Sequence, residues 1–258
     1  MYFKLFLILL LWFEWTNLSI LCLLINLLIS CFGKRFFAGF CSNFAGKYNE
    51  LANAFKMELF KDLNSMKSGE KISVLEVGAG SGANFKYYTR DATIQAVEPN
   101  KFFETHFLAN KAKYPKLDIK EMKIGYGEDL LAAGVEDSSV DAVVMTLVLC
   151  SVNDQQKCFQ EVKRVLKPGG KFFFMEHILD TEDTPVMMLQ RVLTQCGFWP
   201  FAFDGCYIDR DTDNQLELAG FSHLQQKKYD LPAREDSPAF FKVVRTFIKK
   251  HTMGVATK

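Results

Sequence analysis

Polar and apolar positions divide the chain sharply. From Leu5 to Phe32 the sequence is almost wholly apolar, broken only by Glu14 and by the polar residues Thr16, Asn17, Ser19, Asn26 and Ser30. Such a run is long enough to cross a bilayer, and it lacks the positive start and small-x-small end of a cleaved leader. Glu14 would cost roughly 2.5–3.5 kcal/mol at the centre of a span, so the uncharged stretch Trp15–Phe32 is the expected inserted helix. A segment lying in one leaflet or bent into a hairpin, with Trp12 and Trp15 at headgroup level, is the alternative. Lys34, Arg35 and Lys47 follow the run and only Lys4 precedes it, which places the rest of the chain in the cytosol.

After a Gly/Ser-containing stretch at 33–46, Leu51, Phe55, Leu59 and Leu63 recur every fourth position, the stripe of an amphipathic helix read as a connector. Ile72–Val77 is a β-rich run ending at glycines, and a helix is expected to begin near Ala83. Further strands are predicted at Thr93–Val97, Ile119–Ile124, Val140–Thr146 and Lys171–His177, alternating with helices at Lys101–Lys113 and Asp154–Leu166. Beyond His177 come helices at Val186–Cys196 and Asp211–Ala219 and strands at Phe221–Lys228 and His251–Thr257. This alternation predicts a Rossmann-like α/β fold: a mainly parallel, seven-stranded sheet with helices on both faces. The expected divisions are an anchor (1–33), a linker with its helix (34–70) and a catalytic domain (71–258).

At 258 residues no second large domain fits. With 31 basic and 30 acidic side chains the chain has no large positive field, so nucleic acid is not an expected partner, and no obligate protein partner is evident. Its 7 cysteines form no CxxC pair, so no metal site and no disulfide framework is expected.

Glu76-Val77-Gly78-Ala79-Gly80-Ser81-Gly82 closes the first strand, a backbone cradle for a small ligand. Gly78-x-Gly80-x-x-Ala83 also satisfies the dinucleotide fingerprint, which keeps a nicotinamide dehydrogenase as a rival. Glu98, followed by Pro99 and Asn100, stands where a carboxylate accepts ribose hydroxyls in either case. With Glu76 the loop reads E-x-G-x-G-x-G and resembles that of class I methyltransferases, where the acidic residue helps hold the methionine ammonium; a dinucleotide's pyrophosphate would gain nothing from its charge. The turn Leu166-Lys167-Pro168-Gly169-Gly170 points the same way. Glu128 and Asp129 fall where such enzymes place an acidic residue beside the adenine, or else form a helix N-cap.

On these motifs, together with Thr146-Leu147-Val148-Leu149-Cys150-Ser151-Val152, Met175-Glu176-His177 and Asp204-Gly205-Cys206, the chain resembles the membrane-associated thiol S-methyltransferases, the methyltransferase-like seven group. The family usually has Gly-Cys-Gly-Thr-Gly in the loop and aspartate in place of Glu98, and the region after His177 departs most, with an added stretch at Ser237–Lys250. The resemblance implies S-adenosyl-L-methionine as cofactor, held by Glu76, Gly78, Ala79, Gly80, Gly82, Glu98, Pro99, Asn100, Glu128, Asp129 and Leu147. It implies a small thiol acceptor and a bilayer setting, at the endoplasmic reticulum or lipid droplets.

The stretch after the fourth strand lacks the Asn/Asp-Pro-Pro-aromatic motif of many N-methyltransferases, which disfavours amino acceptors. His177, Asp204 and Cys206 are the expected catalytic candidates. A structural histidine, a turn aspartate and an ordinary buried thiol explain them as well. The open alternatives are a C- or O-methyltransferase of a membrane lipid or quinone, and a non-catalytic membrane or droplet tether.

Overall fold

The computed structural model describes residues 33–66, 71–180 and 184–258. The anchor expected over 1–33 lies, apart from Gly33, outside the described residues. Among those described, no helix is long and apolar enough to cross a membrane.

Seven strands form one sheet: β1 (Ile72–Val77), β2 (Ala92–Glu98), β3 (Asp118–Ile124), β4 (Val140–Thr146), β5 (Leu166–His177), β6 (His223–Asp230) and β7 (Lys250–Thr257), in the order β3-β2-β1-β4-β5-β7-β6. The first five run parallel, β7 is antiparallel to both β5 and β6, and so β7 alone is reversed. A parallel sheet must be covered on both faces, and the central strands β1 and β4 are accordingly buried along most of their length, chiefly by apolar residues. In β5 the run Phe172-Phe173-Phe174-Met175 sends alternate side chains to the two faces: Phe172 and Phe174 join one core cluster, Phe173 and Met175 the other.

The helices are α1 (33–51), α2 (Asn53–Asn64), α3 (Glu104–Lys111), α4 (Gln155–Val165), α5 (Pro185–Gln195), α6 (Phe198–Ala202), α7 (Thr212–Leu218) and α8 (Ala239–Phe247). The stretch 33–46, expected as linker, is helical. Its glycines are offset by aromatic residues that pack: Phe44 lies 4.9 Å from Phe241 of α8 and Phe40 5.7 Å from Phe240, ring centre to ring centre. The added stretch is thus the partner of α1. Of the expected stripe, Leu51, Leu59 and Leu63 are buried and Phe55 is partly so; in α2 the buried face also takes in Phe60 and a lysine, Lys56.

Two local expectations fail for visible reasons. No α-helix starts near Ala83; a single 3-10 turn, Phe85–Tyr87, stands there. Asn110 Nδ2 donates to the Gly82 carbonyl at 2.7 Å and Asn49 Nδ2 to that of Ala83 at 2.9 Å. Side chains therefore occupy the carbonyls that would seed the helix. The Lys-Pro-Gly-Gly segment is not a separate turn but the bulged start of β5: Leu166 pairs with Val140, and the register shifts before Lys171 pairs with Ala142.

Candidate active site

The C-terminal ends of β1, β2 and β4 converge on a cavity of about 250 Å³, roofed by α1. Ligands of open α/β sheets bind where the strand order reverses, here between β1 and β4. Beyond β1, Gly78 (φ +63°) and Gly80 (φ +51°) take left-handed backbone conformations. A Cβ on Gly78 would stand 2.4 Å from Val148 Cγ2, so the residue is small because the β4 loop presses on it.

Glu98 ends β2 and is buried. Its Oε2 accepts the Gly80 N–H at 3.0 Å and its Oε1 the Asn100 N–H at 2.9 Å. Burial raises its carboxyl to about 7; the two N–H donors pull the other way, and Asp204 adds to the rise. Two donors leave lone pairs on both oxygens for a vicinal diol. Asn100 Nδ2 donates to the Lys34 carbonyl at 3.0 Å and to Asp204 Oδ2 at 2.9 Å, tying the end of β2 to α1 and to the loop after α6.

Of the expected cofactor residues, Gly78, Ala79, Gly80, Glu98, Pro99, Asn100, Glu128 and Leu147 line the cavity. Leu147 has φ +58°, uncommon for a side chain of its size. Glu76, Gly82 and Asp129 are not among the lining residues. A Cβ on Gly82 would meet the Phe85 ring at 2.2 Å, so that glycine serves the core packing beneath the loop. Asp129 is exposed, and its side chain accepts the Ala132 N–H at 3.1 Å within a turn over 130–134, so there is no helix there for it to cap.

Glu76 lies under the loop. Its oxygens accept Asn84 Nδ2 at 2.8 Å and Tyr88 OH at 3.0 Å, and burial raises its carboxyl despite both bonds. The charge argument against a pyrophosphate therefore has no geometric support, and the case for a methyltransferase rests on other ground. What does reach the cavity is Lys56, from the helix read as a connector. Its Nζ donates to Asn84 Oδ1 at 2.6 Å, and burial lowers its pKa to about 7 although Glu76 pulls it up. A lysine on the buried face of α2 is the signal that could have found it.

Of the three catalytic candidates, Asp204 lines the cavity, whereas His177 and Cys206 do not. His177 Nε2 lies 3.2 Å from Cys206 Sγ, behind the wall formed by Ser151 and Asp204. Beside His177, Glu176 is fully buried and accepts the Val148 N–H with both oxygens, at 2.8 and 3.0 Å. It holds the loop that carries Leu147 and Val148.

The diol-ready Glu98, the glycine cradle beside it and an apolar slot between Leu147 and α1 fit the ribose and base of S-adenosylmethionine. Residues 75–174 match the model of a methyltransferase domain, and fold and site together define a Rossmann-like, S-adenosylmethionine-dependent methyltransferase. The human thiol S-methyltransferase TMT1A is 39% identical over 226 residues, covering 87% of this chain and 87% of that one. The rat thiol S-methyltransferase TMT1B is 34% identical over the same shares. The chain belongs to the thiol S-methyltransferase family. The crystal structure of YcgJ from Bacillus shares the fold with a TM-score of 0.60 at 17% identity, covering 80% of this chain and 98% of that one.

Proposed function

We propose that this enzyme methylates a small lipophilic thiol, or hydrogen sulfide, at a membrane surface. The observation that carries this reading is the roof of the cavity: α1 lays Phe37, Cys41, Phe44 and Tyr48 over the cofactor cradle, so an acceptor meets an apolar wall. The names of the relatives supply the acceptor class.

S-adenosylmethionine, when bound, supplies a sulfonium methyl group open to in-line attack. In this reading Glu98 orients the ribose hydroxyls, and Gly78, Ala79 and Gly80 with Pro99 and Asn100 close round the sugar. Glu128 and Leu147 flank the base, while Lys56 and Asn84 meet the amino-acid end. A thiol has a pKa near 8.5 and is already a few per cent ionised at neutral pH, so no strong base is needed. Asp204, on the cavity wall, is placed to receive the proton.

The membrane setting is supported by the apolar run before Gly33 and by exposed rings on neighbouring elements. Phe36 of α1 is 76% exposed and Phe201 of α6 is 74% exposed, with Phe198 and Phe240 also open. We place the catalytic domain on the cytosolic face of the endoplasmic reticulum or lipid droplets, with residues 1–33 as the anchor. Carbonate extraction should release the chain lacking 1–33 and not the full chain; release of both removes the anchor.

The test of the reaction is methyl transfer from labelled cofactor by the full chain, comparing an alkyl thiol, sulfide and a quinol. Turnover of thiol or sulfide alone is expected. Turnover of the quinol alone would transfer the assignment to a C- or O-methyltransferase.

A further inference from the structure

One cluster of side chains has no part in the reaction as derived. Cys150 follows β4, His177 ends β5 and Cys206 lies in the loop between α6 and α7. One donor atom from each, the two Sγ and a ring nitrogen, all lie within 4.8 Å of one another. Cys150 and His177 are each only 3% exposed, and Cys206 is half-buried. The described cysteines are free thiols.

A buried thiol by itself carries no such meaning. Cys158 is equally buried, and its sulfur simply packs 3.9 Å from Met145 Sδ in the core. Cys150 and Cys206 differ in facing each other and an imidazole. Around one small cation, Zn–S bonds of about 2.3 Å and Zn–N bonds of about 2.0–2.1 Å hold tetrahedral donors roughly 3.3–3.8 Å apart. The 3.2 Å between His177 Nε2 and Cys206 Sγ is close to that separation. The other ring nitrogen, Nδ1, is buried with no hydrogen-bond partner, so no second bond fixes the tautomer of the imidazole.

Two sulfurs and one imidazole form a soft donor set, suited to zinc or cuprous copper and unsuited to magnesium or calcium. We propose that Cys150, His177 and Cys206 bind one thiophilic d10 cation, Zn2+ or Cu+, through two thiolate sulfurs and one ring nitrogen. Binding displaces the two thiol protons to solvent and leaves two thiolates, so the site is neutral with Zn2+ and carries one net negative charge with Cu+. Three protein donors leave the fourth tetrahedral position to water or another small donor.

The site cross-links segments that carry the cavity wall. Cys206 is two residues from Asp204, whose Oδ2 accepts from Asn100, and Tyr207 N–H already donates to the Cys150 carbonyl at 2.9 Å. The cation would hold this loop against the end of β5, fixing Asp204 over the cavity. The sequence hides the site because its ligands come from three separate segments with no CxxC spacing.

The test is elemental analysis of the full chain purified in detergent without added metal, which also tells zinc from copper. About one equivalent of either per chain is expected. After chelator treatment, Co2+ titration should raise a thiolate-to-cobalt charge-transfer band. Cys206→Ser and Cys150→Ser should lose both the metal and the band, while Cys196→Ser, at an exposed thiol, should keep them. If Cys150→Ser does not fold, the wild-type cobalt spectrum and Cys206→Ser still decide. Metal that persists in Cys206→Ser, a reduced wild-type chain that gives no cobalt band, or an intact Cys150–Cys206 disulfide in the purified chain would each overturn the site.

Discussion

Glu98 Oε2 accepts the Gly80 N–H at 3.0 Å, so the acid at the end of β2 and the glycine loop after β1 are one unit. Only the ionised carboxylate serves both this donor and a pair of ribose hydroxyls. Burial raises Glu98 to about 7, so it is largely protonated at pH 6 and largely ionised at pH 8. Cofactor binding should favour the ionised form and release a proton. Affinity for S-adenosylhomocysteine should therefore fall as pH drops through about 7, by at most about tenfold per pH unit. Glu98→Gln should bind more weakly at pH 8, by about 2–3 kcal/mol or roughly 30- to 150-fold, and lose the pH slope. Calorimetric titration from pH 6 to 8 checks both; an unchanged slope in the variant would assign it to another group.

Gly78 faces Val148 so closely that a methyl group has no room, and its φ of +63° is costly for any other residue. Gly78→Ala should abolish cofactor binding and destabilise the fold by about 1–3 kcal/mol. Adding Val148→Ala should recover the part due to the clash and leave the part due to the backbone. Urea unfolding of the two single variants and the double variant separates the terms; strict additivity would show that the contact is not the cause.

The glycine loop, Glu98 and the strand pattern were legible because each is set by neighbours in sequence. A tight turn needs glycine, and a covered parallel strand needs an apolar run. The reversal of β7 was not, since nothing in Lys250–Thr257 states a direction; its pairing with β5 and β6 does. The roof was missed because three glycines between 33 and 46 read as a linker, while the aromatic residues among them find partners far along the chain, at Phe103, at Phe203 and, in α8, at Phe240 and Phe241. Glu76 was placed on the ligand by family pattern, yet it lies outside the cavity lining, bonded to Asn84 and Tyr88, eight and twelve residues on.

Lys56 lies on the wall of a cavity assigned to a ligand with a free carboxylate, which would favour its protonated form against the burial that lowers its pKa to about 7, and its Nζ is held by Asn84 at 2.6 Å. If it meets the amino-acid end, Lys56→Met, similar in length and uncharged, should weaken S-adenosylhomocysteine binding by about tenfold, or about 1.4 kcal/mol. Methylthioadenosine, which lacks that end, should bind the variant and the wild type alike. Equal losses for both ligands would show instead that the lysine supports the loop.

Glu176 anchors the loop after β4 through the Val148 N–H, with the Leu149 and Cys150 N–H groups also directed at it. Glu176→Ala leaves these donors without their acceptor and should cost about 2–4 kcal/mol, measured as a shift of the urea midpoint. Its pH dependence has a definite sign. Burial raises the carboxyl from 4.5 to about 7, so the folded chain holds the proton more tightly than the unfolded one. The stabilisation from Glu176 is then complete below about pH 4.5 and is lost as pH rises through about 7. The penalty for Glu176→Ala should therefore be larger at pH 6 than at pH 8. A penalty that grows with pH would mean that the three N–H donors outweigh burial and hold the carboxyl below its ordinary value.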